Sequence, residues 1–156
     1  MMLIKRAQKD DSIILSTITY KSKAFWGYDE AQLEKWKKEL TITETYIEEN
    51  ATYKLIVGEK IAGYYSLLKV ENEPVKLDNL FLLPEYIGKG FGKFLLLDCV
   101  NRAKHLGFKR MILDSEPNAT GFYENFGFEV YNLLESSIKD RFLPQMELDL
   151  DSISDL

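Results

Sequence analysis

The spacing of apolar residues in the first fifty positions predicts a short strand followed by three helices. An apolar run opens the chain, and a helical period with acidic residues at its start follows it. Gly27 separates the first helix from the second, while Asp29 and Thr43 are suited to cap the second and third helices. The predicted strand covers residues 3–7, and the predicted helices cover residues 12–24, 30–40 and 44–49.

From residue 52 onward, β-branched and aromatic residues predict strands on either side of a long helix. A short "GEK" connection is typical of a hairpin, and Gly107 and Gly127 are placed to end the two helices of this half. The long helix offers five apolar side chains to a core: Phe91, Leu95, Val100, Ala103 and Leu106. The predicted strands cover residues 52–57, 60–70, 75–83, 109–114, 128–134 and 144–150, and the predicted helices cover residues 91–106 and 118–126.

This order of elements predicts a mixed α/β (α+β) fold around one central sheet. A strand, a crossover helix and a second strand between residues 77 and 114 imply at least one parallel pair. The earlier strands imply an antiparallel meander. We therefore expect a mostly antiparallel sheet of about six to seven strands with helices on both faces, and not a doubly wound nucleotide-binding fold.

Composition favours one globular domain over residues 1–156. The chain is 46% hydrophobic, which is enough for a core. Its net charge of −5 argues against a general nucleic-acid binder, because such a protein normally has a basic face. No apolar run approaches the ~20 residues of a membrane span, and the N-terminus lacks a signal-peptide pattern. We expect a cytoplasmic protein with no membrane partner. With one histidine and one cysteine, a zinc site is not expected.

A glycine-rich stretch at the start of the long helix carries the strongest chemical signal. Gly88, Gly90 and Gly92 alternate with other residues at the point where the helical pattern begins. A helix N-terminus has unpaired N–H groups and a partial positive charge, and glycines let an anion come close to them. Lys89 and Lys93 add charge at the rim. A diphosphate fits this description.

The common phosphate-binding loops do not match this stretch. A Walker A loop needs a glycine where this chain has Ile87, and a Ser or Thr where it has Phe94. The dinucleotide fingerprint needs G-x-G-x-x-G near the start of a βαβ unit, whereas G-x-G-x-G lies here in mid-chain. On this segment alone, a tight strand–helix turn without a ligand remains the alternative.

Two longer segments narrow the interpretation. "LFLLPEYIGKGFGKFLL" followed by "EPNATGFYENFGF" resembles the GNAT superfamily of acetyl-CoA-dependent N-acyltransferases. The resemblance covers the whole chain in element order, and "SKAFWGYDEAQLEKW" with "RFLPQMEL" looks like one bacterial branch whose substrates are mostly unassigned. It implies that a diphosphate of coenzyme A is held by the backbone N–H groups of Gly88, Lys89, Gly90, Phe91, Gly92 and Lys93.

The resemblance has one departure and one further implication. Ile87 stands where the family usually has Arg or Gln, so we expect cofactor binding to rest on backbone amides and the two lysines. The resemblance also implies that the strand before the loop splays from its parallel neighbour. Pantetheine would lie between them, paired with the backbone of Leu80, Phe81 and Leu82.

Amine acetylation needs a neutral amine, a donor for the oxyanion and a proton for the leaving thiolate. The resemblance places Tyr123 beside the cofactor sulfur as general acid, and a phenol is protonated at neutral pH. For the base, Asp114 ends strand 109–114 and Asp78 lies on the strand that enters the glycine stretch. Either can take the amine proton directly or through water, and a water path without any side-chain base is the third alternative.

The remaining expectations concern the two substrates. Trp26 and Tyr28 flank Gly27 and are expected to line the acceptor pocket. Asn118 is expected to cap the short helix and, by resemblance, to contact the cofactor.

We thus expect an N-acetyltransferase that moves acetyl from acetyl-CoA to a primary amine of a small molecule or peptide, without a metal. A non-catalytic acyl-CoA-binding regulatory module is the alternative. A nucleotide-binding protein of another fold is a third interpretation, against which the failed phosphate-loop patterns count. The terminal strands make a homodimer a further expectation.

Overall fold

A computed structural model describes residues 1–68 and 73–153 of the chain. The described strands are β1 (Met2–Arg6), β2 (Ala51–Val57), β3 (Lys60–Leu67), β4 (Val75–Leu82), β5 (Arg110–Asp114), β6 (Glu129–Glu135) and β7 (Phe142–Asp149). The α-helices are α1 (Ser12–Phe25), α2 (Glu30–Lys35), α3 (Lys37–Leu40), α4 (Glu44–Glu49), α5 (Phe91–His105) and α6 (Thr120–Phe126).

The seven strands form one open sheet in the order β1-β2-β3-β4-β5-β7-β6. The first four strands form an antiparallel meander, and β5, β7 and β6 are joined by antiparallel ladders. The β4–β5 pair is parallel, with α5 as its crossover. The predicted mixed, mostly antiparallel sheet is therefore confirmed.

Helices cover both faces of this sheet, as the two neighbouring tyrosines of β3 illustrate. Successive side chains of a strand point to opposite faces. Tyr65 packs on the side of α5 and α6, within the larger apolar cluster. Tyr64 packs on the side of α1 and α4, in a second cluster with Leu15, Ile18 and Ile47. Both tyrosines are fully buried, so the sheet is the middle layer of three.

The parallel pair β4–β5 separates after two residues. Only Val75 and Lys76 of β4 pair with β5, although β4 continues to Leu82. On its other side β4 stays paired with β3, and Asp78 is the extra residue of a β-bulge in that ladder. A bulge bends its strand and increases the local twist. The splayed pair leaves the β5-facing backbone edge of residues 77–82 without a strand partner in the described chain.

Several predicted boundaries differ from the structure. The helix predicted over residues 30–40 is divided at Trp36, where ψ is −2° and the regular helical ladder is interrupted. Leu106 was expected in the core but is 65% exposed, because α5 ends at His105 and Leu106 lies beyond its buried face. The strand predicted over residues 60–70 ends at Leu67, and residues 69–70 of that prediction lie outside the described residues.

The N-cap prediction for Asn118 is wrong. The short helix α6 begins at Thr120 behind a separate 3-10 turn over Pro117–Ala119, and Ala119 holds the N-cap position. The Asn118 side chain instead donates to Glu116 Oε1 at 2.8 Å. The predicted caps of Asp29 and Thr43 are confirmed, because each side chain accepts from a backbone N–H of the first helical turn.

Candidate active site

The splayed strands open into a cleft of about 620 Å³. The glycine stretch, α1, α3 and α6 all contribute residues to its lining. The strand β4 contributes residues Leu77 to Leu82 to its lining. A single cavity therefore joins most of the residues that the sequence singles out.

The glycine stretch has the backbone shape that its composition predicts. Gly88 and Gly90 have φ of 80° and 88°, in the left-handed region that favours glycine, and Gly90 is the N-cap of α5. A Cβ at either position would meet nothing within 4 Å, so the space above the loop is open. Within the described chain, the backbone N–H groups of residues 88–93 donate to no carbonyl. These groups form an open cradle of unpaired donors, which is the arrangement that suits an anion.

The side chains around this cradle are either apolar or basic. Ile87 lines the cleft and packs against the larger apolar cluster, so no side-chain cation stands at its position. Lys89 and Lys93 are exposed, and Lys93 lines the cleft. Gly92 lies against Phe122 of α6, where a Cβ would be 3.4 Å from the ring. The first turn of α5 therefore approaches α6 closely.

Tyr123 is a buried tyrosine in the wall of the cleft. It is 8% exposed, and its ring makes edge contacts with Phe122 and Phe128. Its hydroxyl makes no hydrogen bond within the described residues, although it lines the cavity. Burial, and secondarily the neighbouring Cys99, raises the pKa of this phenol above its ordinary value. The hydroxyl is thus a protonated donor with no partner of its own.

Asp114 lies at the point where β4 and β5 separate. Its Oδ2 is 2.9 Å from Lys76 Nζ across the two strands, and its Oδ1 accepts from Gln145 Nε2 at 3.0 Å. The carboxylate lines the cleft with its charge compensated by Lys76.

Asp78 is the exposed bulge residue of β4 and lines the same cleft. Its Oδ2 accepts from the Tyr46 hydroxyl and, at 3.4 Å, from Asn79 Nδ2. Ser66 completes this network, since its hydroxyl lies 2.8 Å from that of Tyr46. Burial, followed by the hydrogen bond to Asp78, raises the pKa of Tyr46. All donors to Asp78 are neutral, so its charge is oriented but not compensated.

Glu116 is a residue that the sequence analysis did not single out. It lies on the loop between β5 and α6 and lines the cleft with a carboxylate that is 10% exposed. Its Oε2 is 2.7 Å from Lys23 Nζ and 2.9 Å from Arg141 NH2. Its Oε1 accepts from Tyr28 and Asn118 at 2.7 and 2.8 Å. Burial opposes its ionisation, but these donors prevail, led by Lys23, and hold its pKa below the ordinary value.

The two residues expected at the acceptor pocket have different positions. Trp26 lines the cleft directly. Tyr28 lies behind it, with its hydroxyl donating to Glu116 and its ring 4.9 Å from that of Trp36. Burial, and then the hydrogen bond and charge of Glu116, raises the pKa of Tyr28 to about 12. Tyr28 can therefore support the pocket wall through Glu116.

With this geometry established, comparison with known proteins decides the family. A family model described as the acetyltransferase (GNAT) domain matches residues 15–146. The chain belongs to the GNAT acetyltransferase family. The predicted superfamily is confirmed, and acetyl transfer is the general activity of this family. Within the described residues, this GNAT domain has no group of three or more His, Cys, Asp or Glu side chains suited to a metal ion.

Relatives of this GNAT domain include a curated protein and solved structures. The uncharacterized N-acetyltransferase YvbK of Bacillus subtilis is 28% identical over 70% of this chain and 81% of its own. The PaiA N-acetyltransferase of Thermoplasma acidophilum in complex with coenzyme A superposes with a TM-score of 0.79, at 21% identity over 96% of this chain and 99% of its own. A Bacillus subtilis acetyltransferase in complex with CoA superposes with a TM-score of 0.65, at 20% identity over 95% of this chain and 97% of its own. These structures share the fold.

None of the helices in residues 1–68 and 73–153 has the length and apolar character needed to cross a membrane.

Proposed function

We propose that this GNAT protein binds acetyl-CoA and transfers the acetyl group to a primary amine of a small molecule or peptide by direct attack. One observation carries the proposal: a single cleft joins the open glycine cradle to the unpartnered hydroxyl of Tyr123, past the free backbone edge of β4. The solved relatives in complex with coenzyme A support the choice of cosubstrate.

The chain's own residues fit coenzyme A as an extended ligand. The diphosphate would be held by backbone N–H groups of residues 88–93, with Lys89 and Lys93 at the rim. The amides of pantetheine would pair with the free β4 edge at Leu80, Phe81 and Leu82. Asn118 lines the same cleft and would contact the cofactor there. Because Ile87 adds no charge, the affinity would depend mainly on backbone amides.

At the reacting end, acetyl-CoA when bound supplies an activated acetyl thioester with a sulfur leaving group. Tyr123 holds a proton at its hydroxyl oxygen, and its burial keeps that proton in place at neutral pH. The proton would pass to the sulfur as the C–S bond breaks, while the amine nitrogen forms the new bond to carbon. Tyr123 is therefore the proposed general acid.

The proton lost by the amine needs an acceptor. Between the two candidate carboxylates, the contacts favour Asp78, because Asp114 is paired with Lys76 whereas Asp78 has only neutral donors. Asp78 would act directly or through water. A water path to bulk solvent remains compatible with its exposed position.

Calorimetric titration of acetyl-CoA into the purified protein tests the proposal, with desulfo-CoA and ATP as controls. We expect micromolar binding of acetyl-CoA and none of ATP, followed by thiol release with one or more amines of a panel. Absence of acetyl-CoA binding would contradict the cofactor site. Binding without turnover on any amine would favour the alternative, a non-catalytic acyl-CoA-binding regulatory module.

A further inference from the structure

The charged side chains that line the cleft differ in whether their charge is compensated. Two of the acidic residues have ion-pair partners: Asp114 with Lys76, and Glu116 with Lys23 and Arg141. The lining as a whole includes the charged residues Lys23, Glu39, Asp78, Lys93, Asp114 and Glu116.

Two lining carboxylates remain without a cation. Asp78 accepts hydrogen bonds only from the neutral side chains of Tyr46 and Asn79. Glu39 is exposed on α3, and its side chain has no hydrogen bond or ion pair within the described part of the chain. Both residues line the cleft, Asp78 from β4 and Glu39 from α3.

A second feature of the same cavity shows where a ligand must react. The Tyr123 hydroxyl lines the cleft, has no partner within the described residues, and belongs to a side chain that is only 8% exposed. The hydroxyl oxygen is not fully enclosed by protein, so a ligand or water in the cleft can reach it. Tyr123 therefore marks the reacting end, and the two carboxylates mark the surface along which an acceptor extends from it.

We infer that the acceptor is a dicationic amine, with Glu39 and Asp78 as the carboxylates that recognise its positive charge. This inference rests on the proposed function. The attacking nitrogen must be neutral when it reacts, so it cannot by itself satisfy two uncompensated carboxylates. A second ammonium group on the acceptor can. An acceptor that carries a carboxylate or phosphate would be repelled by the same charges.

Glu39 is the residue by which preference for a dicationic acceptor can be tested separately from acetyl transfer. Asp78 is also the candidate base, whereas Glu39 lies on a different element and has no proposed role in the reaction. Exchange of Glu39 for Gln removes the charge and keeps the shape. Glu34→Gln is the matched control, because Glu34 is also exposed, lies on α2 and does not line the cleft.

The test compares three probes of similar length: diaminobutane, butylamine and γ-aminobutyrate. Their binding to protein saturated with desulfo-CoA is measured by calorimetry, and their turnover with acetyl-CoA by thiol release. We expect diaminobutane or a neighbour in the series from diaminopropane to diaminohexane to bind at least about tenfold more tightly than butylamine. Glu39→Gln lowers that ratio severalfold, Glu34→Gln leaves it unchanged, and γ-aminobutyrate binds most weakly.

Each outcome separates this inference from the proposed function. If no diamine of the series binds more tightly than butylamine, or if Glu39→Gln keeps the wild-type ratio, the inference is overturned even if amines are acetylated. If a diamine binds in a Glu39-dependent manner without product formation, the cationic site stands and the proposed acetyl transfer fails.

Discussion

At the scale of single residues, Tyr123 has the two properties that a proton donor needs. Its hydroxyl lines the cleft without a partner in the described chain, and burial keeps it protonated. The other eight tyrosines of the chain lack this combination: Tyr46 and Tyr65, for example, are hydrogen-bonded to Asp78 and Asp98. The proposal of Tyr123 as general acid therefore rests on its environment and not on residue type.

Exchange of Tyr123 for Phe should lower kcat about a hundredfold and leave the affinity for acetyl-CoA nearly unchanged. The change removes the proton donor but keeps the ring contacts with Phe122 and Phe128. Steady-state kinetics and calorimetry together check this, with Tyr20→Phe as control because Tyr20 is an exposed residue of α1 outside the cleft. Equal kcat in both variants would exclude Tyr123 as the acid.

The pH profile of kcat/KM should rise through the neutral range without an alkaline decrease below about pH 10. The acceptor amine must lose a proton to react, so activity increases with pH. Tyr123 must keep its proton to act as the acid. Its pKa lies above the ordinary 10.0, so deprotonation of Tyr123 should lower the activity only above that pH. A descending limb between about pH 7 and 9 would point to a different acid.

Gly90→Ala should weaken acetyl-CoA binding about tenfold and lower stability by about 1 kcal/mol. The left-handed φ of 88° strains any side chain, and the added methyl would occupy the open cradle. Gly107→Ala is a matched control, since Gly107 has φ of 94° with equally open surroundings but lies at the opposite end of α5. Calorimetry and urea unfolding should give similar stability losses for both variants and a binding loss for Gly90→Ala alone.

At the scale of secondary-structure elements, the Glu116 cluster joins three parts of the fold beside the cleft. Lys23 comes from α1, Tyr28 from the segment that follows it, and Arg141 from the turn between β6 and β7. The cations also lie 5.5 and 5.4 Å from the ring of Trp36. The Glu116 carboxylate thus holds α1, the segment that follows it and the β6–β7 turn to the loop that precedes α6.

Glu116→Gln should destabilise the protein by about 3 kcal/mol, because it leaves two partly buried cations without their counter-charge. Since the pKa of Glu116 in the folded protein is below its ordinary 4.5, its ionisation stabilises the fold above that pH and the contribution is lost as pH falls. Urea unfolding at pH 7 and at pH 3 should therefore show a large difference from wild type that shrinks in acid. Glu124→Gln, on the exposed side of α6, is the control. A pH-independent difference would contradict this account.

At the scale of the whole molecule, the single domain over residues 1–156 stays a prediction that unfolding can test. The N-terminal helices and the sheet share buried clusters, so they should unfold together. Urea transitions followed by the fluorescence of Trp26 and Trp36 and by far-UV circular dichroism should coincide. Two separate transitions would indicate independent units. The expected homodimer also stays a prediction, for which β1 and β6 offer the edges of the sheet and sedimentation velocity is the measurement.

Local chemistry explains what could be predicted from the sequence. The glycine stretch was identified because left-handed φ at Gly88 and Gly90 and an open helix N-terminus are requirements of the local backbone. The strand and helix order followed from short-range apolar periods, and so did the parallel pair, because a crossover helix separates its strands. The N-caps of Asp29 and Thr43 could also be predicted, because each cap bonds to a residue only three positions away.

Packing decided the features that connect distant residues. Lys23 and Glu116 are 93 positions apart, and no period or motif links them, so the cluster around Glu116 had no sequence signal. Tertiary pairing also determined which carboxylates are compensated: Asp114 forms an ion pair with Lys76, whereas Asp78 and Glu39 have no cation partner within the described residues. The sequence by itself determined the elements and the anion cradle, since these depend on neighbouring backbone. The tertiary structure alone decided which carboxylates of the cleft are paired with cations, because side-chain contacts across strands and helices set that pairing.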